Sequence, residues 1–206
     1  GMWDKSYFEA RSPEVPSMLL ELLSHQNFAD MSYGLDPAFR FVVSRAVYKG
    51  MLRFLAQRDG REYVVQPLPV RAFGIAADGK NCYRLSWAER VDSLEPTATP
   101  TYYIIEERVN GGAFRRIATT TATHYSVSVD DSEIHSYRII AANEGGRAFA
   151  SEVLALCNKP GVPVTIVNGF TRVSAPDRFD SGEIAGFYDV RDHGVPYMSD
   201  ISFIGS

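Results

Sequence analysis

The sequence predicts a mainly β chain. A seven-stranded antiparallel sandwich over residues 67–157 is preceded by a short strand plus an amphipathic helix and followed by an irregular tail. Three observations carry this reading. Apolar residues alternate with polar ones in seven short runs between Val70 and Leu156. Turn-forming clusters such as Asp78-Gly79-Lys80-Asn81, Asn110-Gly111-Gly112 and Asn143-Glu144-Gly145-Gly146 separate the runs. Upstream, one stripe with helical period covers Phe39 to Leu55.

Residues 1–66 form the helical block. Val15–Leu23 is its one short apolar run and reads as a strand. Phe39, Val42, Val43, Ala46, Val47, Gly50, Met51, Phe54 and Leu55 then repeat at i, i+3, i+4, i+7. Asp36 suits the N-cap, Pro37 the first helical position, where its missing N–H costs nothing, and Gly60 the stop. Arg40, Arg45, Lys49 and Arg53 fall mostly on the opposite face. A one-sided helix of about 20 residues must bury its stripe against something. Dimerisation, exchange of a terminal segment between two chains, and folding back onto the sandwich are all open.

Pro67 and Pro69 introduce the middle block, and Pro160, Gly161 and Pro163 close it. Its strands are Val70–Ile75, Cys82–Trp87, Tyr102–Glu107, Phe114–Ala118, Tyr125–Val129, Tyr137–Ala141 and Phe149–Leu156. Residues 158–206 are rich in Gly, Pro and Asp; Val164–Val167 reads as a buried strand and Ile201–Ser206 as a further apolar element.

The 206 residues are 45% hydrophobic, 22% charged and 12% aromatic, with a formal net charge of −4. That composition excludes a disordered chain, and no apolar run approaches the roughly 20 residues that span a bilayer. The acidic balance without a Lys/Arg cluster argues against a nucleic-acid partner. Cys82 and Cys157 are too few for a disulfide framework and wrongly spaced for zinc; on different sheets they are expected as two buried free thiols.

The middle block resembles a fibronectin type III domain over nearly its whole length. The resemblance rests on Pro69-Val70, on Trp87 in Leu85-Ser86-Trp87 and on Tyr102–Glu106. It continues in Phe114 with Ile117-Ala118, and in Tyr137–Asn143 followed by Gly145-Gly146 and Ser151. The sequence departs from the family at His135, two residues before Tyr137, where a corner tyrosine usually stands. The helical block resembles the C-terminal end of the zinc-dependent N-acetylmuramoyl-L-alanine amidases, on Val15–Glu21, Asn27, Asp36-Pro37 and Ala46–Met51. Leu22-Leu23-Ser24 replaces the Gly-Phe pair usual just after the catalytic glutamate.

That second resemblance implies that Glu21 is a catalytic glutamate beside zinc. The family's two histidines and a glutamate hold the metal upstream, but here the 20 preceding residues have no histidine. Zinc is therefore expected in the parent protein and no cofactor in this chain. The order of blocks resembles secreted bacterial multidomain proteins of the xanthan lyase or cell-wall amidase kind. It implies a secreted, periplasmic or cell-envelope location, with the signal peptide outside this chain. Residues 1–66 would then end an amidase-like domain, 67–157 form the sandwich and 158–206 begin an α/β domain.

The leading expectation is a non-catalytic spacer whose partners are adjacent domains. An alternative is a glycan-binding module using Tyr102, Tyr103 and Tyr125, although strand tyrosines are more often core or cross-strand pairs. A third is an amidase or lyase active in its own right, with Glu21 as a base whose pKa an apolar strand would raise. His25 reads as solvent-facing on a short helix, and His124 and His135 as surface or edge residues. His193 with Asp189, Asp192 and Asp200 has metal-ligand chemistry, but there and at Asp177 and Asp180 turn formation is the plainer reading.

Overall fold

The structure, a computed structural model, describes residues 7–159, 161 and 175–188. The chain divides into two compact units, and the division falls inside the long helix, between Ser44 and Arg45. The sequence elements Val164–Val167 and Ile201–Ser206, and the cluster of Asp189, Asp192, His193 and Asp200, lie outside the described residues.

In the first unit, α1 (Phe8–Arg11) and α2 (Phe28–Gly34) precede α3 (Pro37–Asp59). The Asn27 side chain caps α2 by accepting from the N–H groups of Ala29 and Asp30. Asp36 caps α3 through the Ala38 N–H at 2.8 Å, with Pro37 at the first helical position as the sequence indicates. The expected strand at Val15–Leu23 is absent: Pro16–Ser24 has no regular secondary structure, and Met18 is 78% exposed. No described strand pairs with this run, so its backbone joins no ladder. The tail is less irregular than expected. Strands β9 (Asp177–Asp180) and β10 (Ala185–Tyr188) pair antiparallel, and Gly182 at φ +84° forms the turn.

The second unit holds the sandwich and the C-terminal turns of α3. Each of the seven expected runs contributes a strand, the last only at its C-terminal end. Strands β1 (Arg71–Ala77), β2 (Cys82–Ala88) and β5 (His124–Ser128) form one antiparallel sheet, in the order β1-β2-β5. The other sheet has the order β4-β3-β6-β7, with β8 also paired to β6. Its strands are β3 (Tyr102–Val109), β4 (Arg115–Thr120), β6 (Ile134–Asn143), β7 (Gly146–Arg147) and β8 (Leu154–Cys157). This is the fibronectin type III arrangement, two antiparallel sheets packed face to face. The last expected run, Phe149–Leu156, is strand only from Leu154, where β8 begins; β7 lies ahead of it, and residues 148–153 between them are not strand. There the Ser151 hydroxyl accepts from the Ile139 N–H and donates to the Glu152 carbonyl, so a side chain stands in for part of the ladder.

Alternation places Leu85 and Trp87 of β2, Tyr103 and Ile105 of β3, Val127 of β5, and Tyr137, Ile139 and Ala141 of β6 in one core between the sheets. Trp87 packs edge-on against Tyr103, with ring centroids 5.4 Å apart. The α3 stripe is only partly covered: Phe39, Val43, Val47 and Leu55 are half-buried. Val42, Met51 and Phe54 are 61%, 59% and 49% exposed. Leu85→Ala should therefore cost about 2–5 kcal/mol in denaturant unfolding, whereas Met51→Gln should change stability by less than about 0.5 kcal/mol. Equal costs at the two sites would contradict this division between core and stripe.

Candidate functional site

The most organised polar constellation among the described residues lies where α3 meets the sandwich, within the second unit. Arg45, Lys49 and Arg53 recur every four residues and so share one helix face. The Arg45 Nε–H donates to Asp92 Oδ2 at 2.9 Å, and Lys49 Nζ donates to the same oxygen at 3.2 Å. All three side chains are nearly buried, Asp92 at 11% exposure. One turn on, Arg53 Nη2 reaches Glu95 Oε2 at 3.0 Å and its Nε–H donates to the Tyr63 hydroxyl at 2.7 Å. Glu95 sits in the loop between β2 and β3 with its side chain 2% exposed. The face that docks is the basic one.

A strap of chain joins helix and sandwich. Gly60 at φ +62° ends α3, and the Arg61 N–H returns to the Ala56 carbonyl, closing the left-handed glycine cap that the sequence suggests. The strap then lies along the loops. Arg45 Nη2 donates to the Gln66 carbonyl at 3.1 Å. The Val65 N–H donates to Thr97 Oγ1, whose hydroxyl donates to Glu95 Oε1. Buried Asn143 at the end of β6 donates to the Val65, Thr97 and Thr99 carbonyls, and its Oδ1 accepts the Gly145 N–H. A Cβ on Gly145 would overlap the Val64 carbonyl, so only glycine admits the strap here.

Burial by itself would raise the pKa of Asp92. The hydrogen bonds from Arg45, Lys49 and the Leu94 N–H outweigh it and hold the carboxyl below its ordinary range. A carboxyl held low stabilises the fold above its unfolded pKa near 4, and the contribution is lost as acid takes the pH through the lower folded value.

At the opposite end of β6 the chain leaves the sandwich through a second polar lock. Asn158 Nδ2 donates to Asn81 Oδ1 and to the Val129 carbonyl, and the Tyr83 hydroxyl donates to Asn158 Oδ1. Asn81 in turn donates to Asp130 Oδ1 at 2.8 Å. Both ends of the module are thus fixed by side chain to backbone contacts.

The described residues among those singled out by sequence are not brought together. Glu21 is exposed and outside any strand, so it lacks the burial a general base would need. His25 is exposed in a turn rather than on a helix, and His124 is exposed at the start of β5. His135 was expected at the surface or a sheet edge but is 8% exposed, with two carboxylates against its ring nitrogens. Tyr103 is core rather than a sugar platform, Tyr125 packs on that same core, and Tyr102 packs against Ile104, Ile140 and Ala142. Asp180 caps its own turn through the Gly182 N–H. Cys82 and Cys157 are free, as expected, but Cys82 is half-buried and Cys157 exposed rather than both buried, since β8 is an edge strand. Among the described residues no three His, Cys, Asp or Glu side chains converge on a metal position, and no helix is long and apolar enough to cross a membrane. Among the described residues Glu21 belongs to no such group, so those residues do not assemble a zinc site of the amidase kind.

Sequence reading missed Asp92, Glu95, Thr97, Asn143 and Asn158 as joint residues. A signal existed in the spacing of Arg45, Lys49 and Arg53 on one face, which needs acids opposite when that face is covered.

No family model and no curated protein matches the chain. Among solved structures it is similar to the twitchin kinase region from C. elegans, at 25% identity over 45% of this chain and 16% of that one, with a TM-score of 0.40. It is also similar to the titin kinase and its flanking domains, at 24% identity over 44% and 16%, TM-score 0.39. The solution structure of a human fibronectin type III domain matches at 21% identity over 48% of this chain and 93% of its own, TM-score 0.39. The chain therefore spans only a small part of the kinase-region structures.

Asp92→Ala should strand Arg45 and Lys49 without their carboxylate and cost about 3–5 kcal/mol, read as faster amide hydrogen exchange along residues 45–56. The triple change Arg45→Met, Lys49→Met, Asp92→Leu should recover most of that protection. Protection unchanged in Asp92→Ala would show that the pairs do not hold the helix.

Proposed function

We propose that this chain is a spacer module of a multidomain protein, holding the domains on either side at a fixed distance and direction. One observation carries the reading: α3 docks on the sandwich through its basic face and leaves Val42, Met51 and Phe54 exposed. An apolar helix face left partly open while the polar face is locked suits a helix shared between two bodies, one on each side. The strap through Asn143 and Gly145 and the exit lock at Asn158 support stiffness at both ends.

In this reading residues 1–66 complete an amidase-like domain, residues 67–157 are the spacer and residues 158–206 open an α/β domain. The parent is a secreted protein acting on cell-wall material or extracellular polysaccharide. Its zinc and the remaining ligands beside Glu21 belong to the adjacent domain, and the partners of this chain are its neighbours in the same protein. The order of resemblances along the sequence supports this finer assignment.

Stiffness is the testable property. Backbone 15N relaxation should give residues 45–59 and the strands β3 and β6 one common rotational correlation time. Asn143→Ala should shorten the apparent time of the helix alone while the strands keep theirs. Independent tumbling of the helix in the unaltered chain would remove the spacer reading.

A further inference from the structure

His135 occupies the corner of the sandwich, and its two ring nitrogens face two different carboxylates. Nδ1 lies 2.8 Å from Glu107 Oε1 on β3, and Nε2 lies 2.9 Å from Asp131 Oδ1 in the loop before β6. Neither carboxylate oxygen has a proton to give: Glu107 Oε1 already accepts from the buried Tyr137 hydroxyl at 2.8 Å, and Asp131 Oδ1 accepts the Glu133 N–H at 3.0 Å. A neutral imidazole has one N–H and one lone pair, so it satisfies only one of these contacts. The imidazolium satisfies both.

Across the sheet His135 registers with Val109 of β3 and Leu156 of β8, both apolar. Loop residue Glu133 is engaged by Asn110, and Asp130 by Asn81. The Cys157 thiol donates to the Ser132 carbonyl. Arg108 and Arg138 instead stack on Phe114, and Arg138 pairs with Glu106. The charges that bear directly on His135 are thus the two carboxylates.

We propose that His135 is a proton-operated latch: as the imidazolium it clamps the Asp130–Glu133 loop to β3, and on losing its proton it releases Asp131 and loosens the exit of the sandwich. The asymmetry of the two contacts decides which one opens. Glu107 is 23% exposed and tied to Tyr137, whereas Asp131 is 54% exposed and swings into solvent at little cost. With Nδ1–H kept on Glu107, the Nε2 lone pair faces the Asp131 carboxylate and repels it. Release then reaches the exit, because the Val129 carbonyl at the loop's start holds Asn158 and the Ser132 carbonyl holds Cys157.

Burial alone would lower the His135 pKa; the hydrogen bonds to Glu107 and then Asp131 outweigh it, and the net direction is upward. The stabilisation is therefore complete below the ordinary histidine pKa and disappears as the pH rises through the higher folded value. Asp131 is held low, first by the Glu133 N–H and then by His135, so its side of the latch fails only in acid, below the ordinary carboxylate range.

The inference concerns the sandwich alone and stands whether or not the module is a spacer. The test is native-state amide exchange of the full chain from pH 5.5 to 8.5, corrected for intrinsic rates, with the His135 ring signals followed by NMR. The opening constant of the Ser132, Glu133 and Ile134 amides should rise on the order of tenfold across this range, while Ile105 and Ile139 in the core stay level. Asp131→Asn should give loop opening nearly independent of pH, because an amide can pair with either protonation state of the ring, and His135→Tyr opening that is independent of pH. If His135→Tyr does not fold, the ring titration of the unaltered chain decides. A His135 that titrates at or below the ordinary value, or loop opening with the same pH dependence in Asp131→Asn, would overturn the latch.

Discussion

A single carboxylate organises the way this chain presents its helix. Asp92 stands in the loop between β2 and β3 and takes Arg45 and Lys49 on one oxygen. Moving these charges out of water is costly, and the cost is recovered only with close geometry and further hydrogen bonds. The loop supplies them. The Leu94 N–H donates to the other Asp92 oxygen, and the Glu95 N–H returns to the Asp92 carbonyl. An apolar docking would tolerate sliding, because hydrophobic contact has no preferred direction. The ion pairs fix rotation and register of the helix against the loop, which is the property a directional connection needs.

The same logic recurs where the chain enters and leaves the sandwich. Asn143 and Gly145 hold the strap at one end of β6, and Asn158 holds the exit near the other. Buried amide side chains satisfy several carbonyls at once, so each fixes a stretch of chain that forms no sheet ladder. The sandwich core between these ends carries the stability, with Leu85, Ile105, Tyr137 and Ile139 wholly buried. The core holds the sandwich together, and the joint residues set the direction of the helix.

The strands were legible because a half-buried antiparallel sheet imposes a period of two, and the turns between them need Gly, Asn and Asp. The α3 caps were legible for the same local reason: Asp36, Pro37 and Gly60 act on their own neighbours. What escaped depends on distant partners. Asp92 is 47 residues from Arg45, and nothing local distinguishes it from any acid in a surface loop. His135 was visible as a departure from a corner tyrosine, but its carboxylate partners come from another strand and from a loop four residues back. The apolar run Val15–Leu23 misled in the opposite direction, since strand propensity without a neighbouring edge produces no strand.

The account stands on the claim that α3 is held in one orientation by its basic face. The most direct measurement is a distance distribution between spin labels placed through Gln57→Cys on the helix and Arg116→Cys on β4, with Cys82 and Cys157 changed to Ser. Both label sites are exposed, so neither disturbs the joint. The account predicts one narrow distribution that largely survives high salt, because partly buried pairs are screened less than exposed ones. A broad distribution in the unaltered joint at low salt would contradict it.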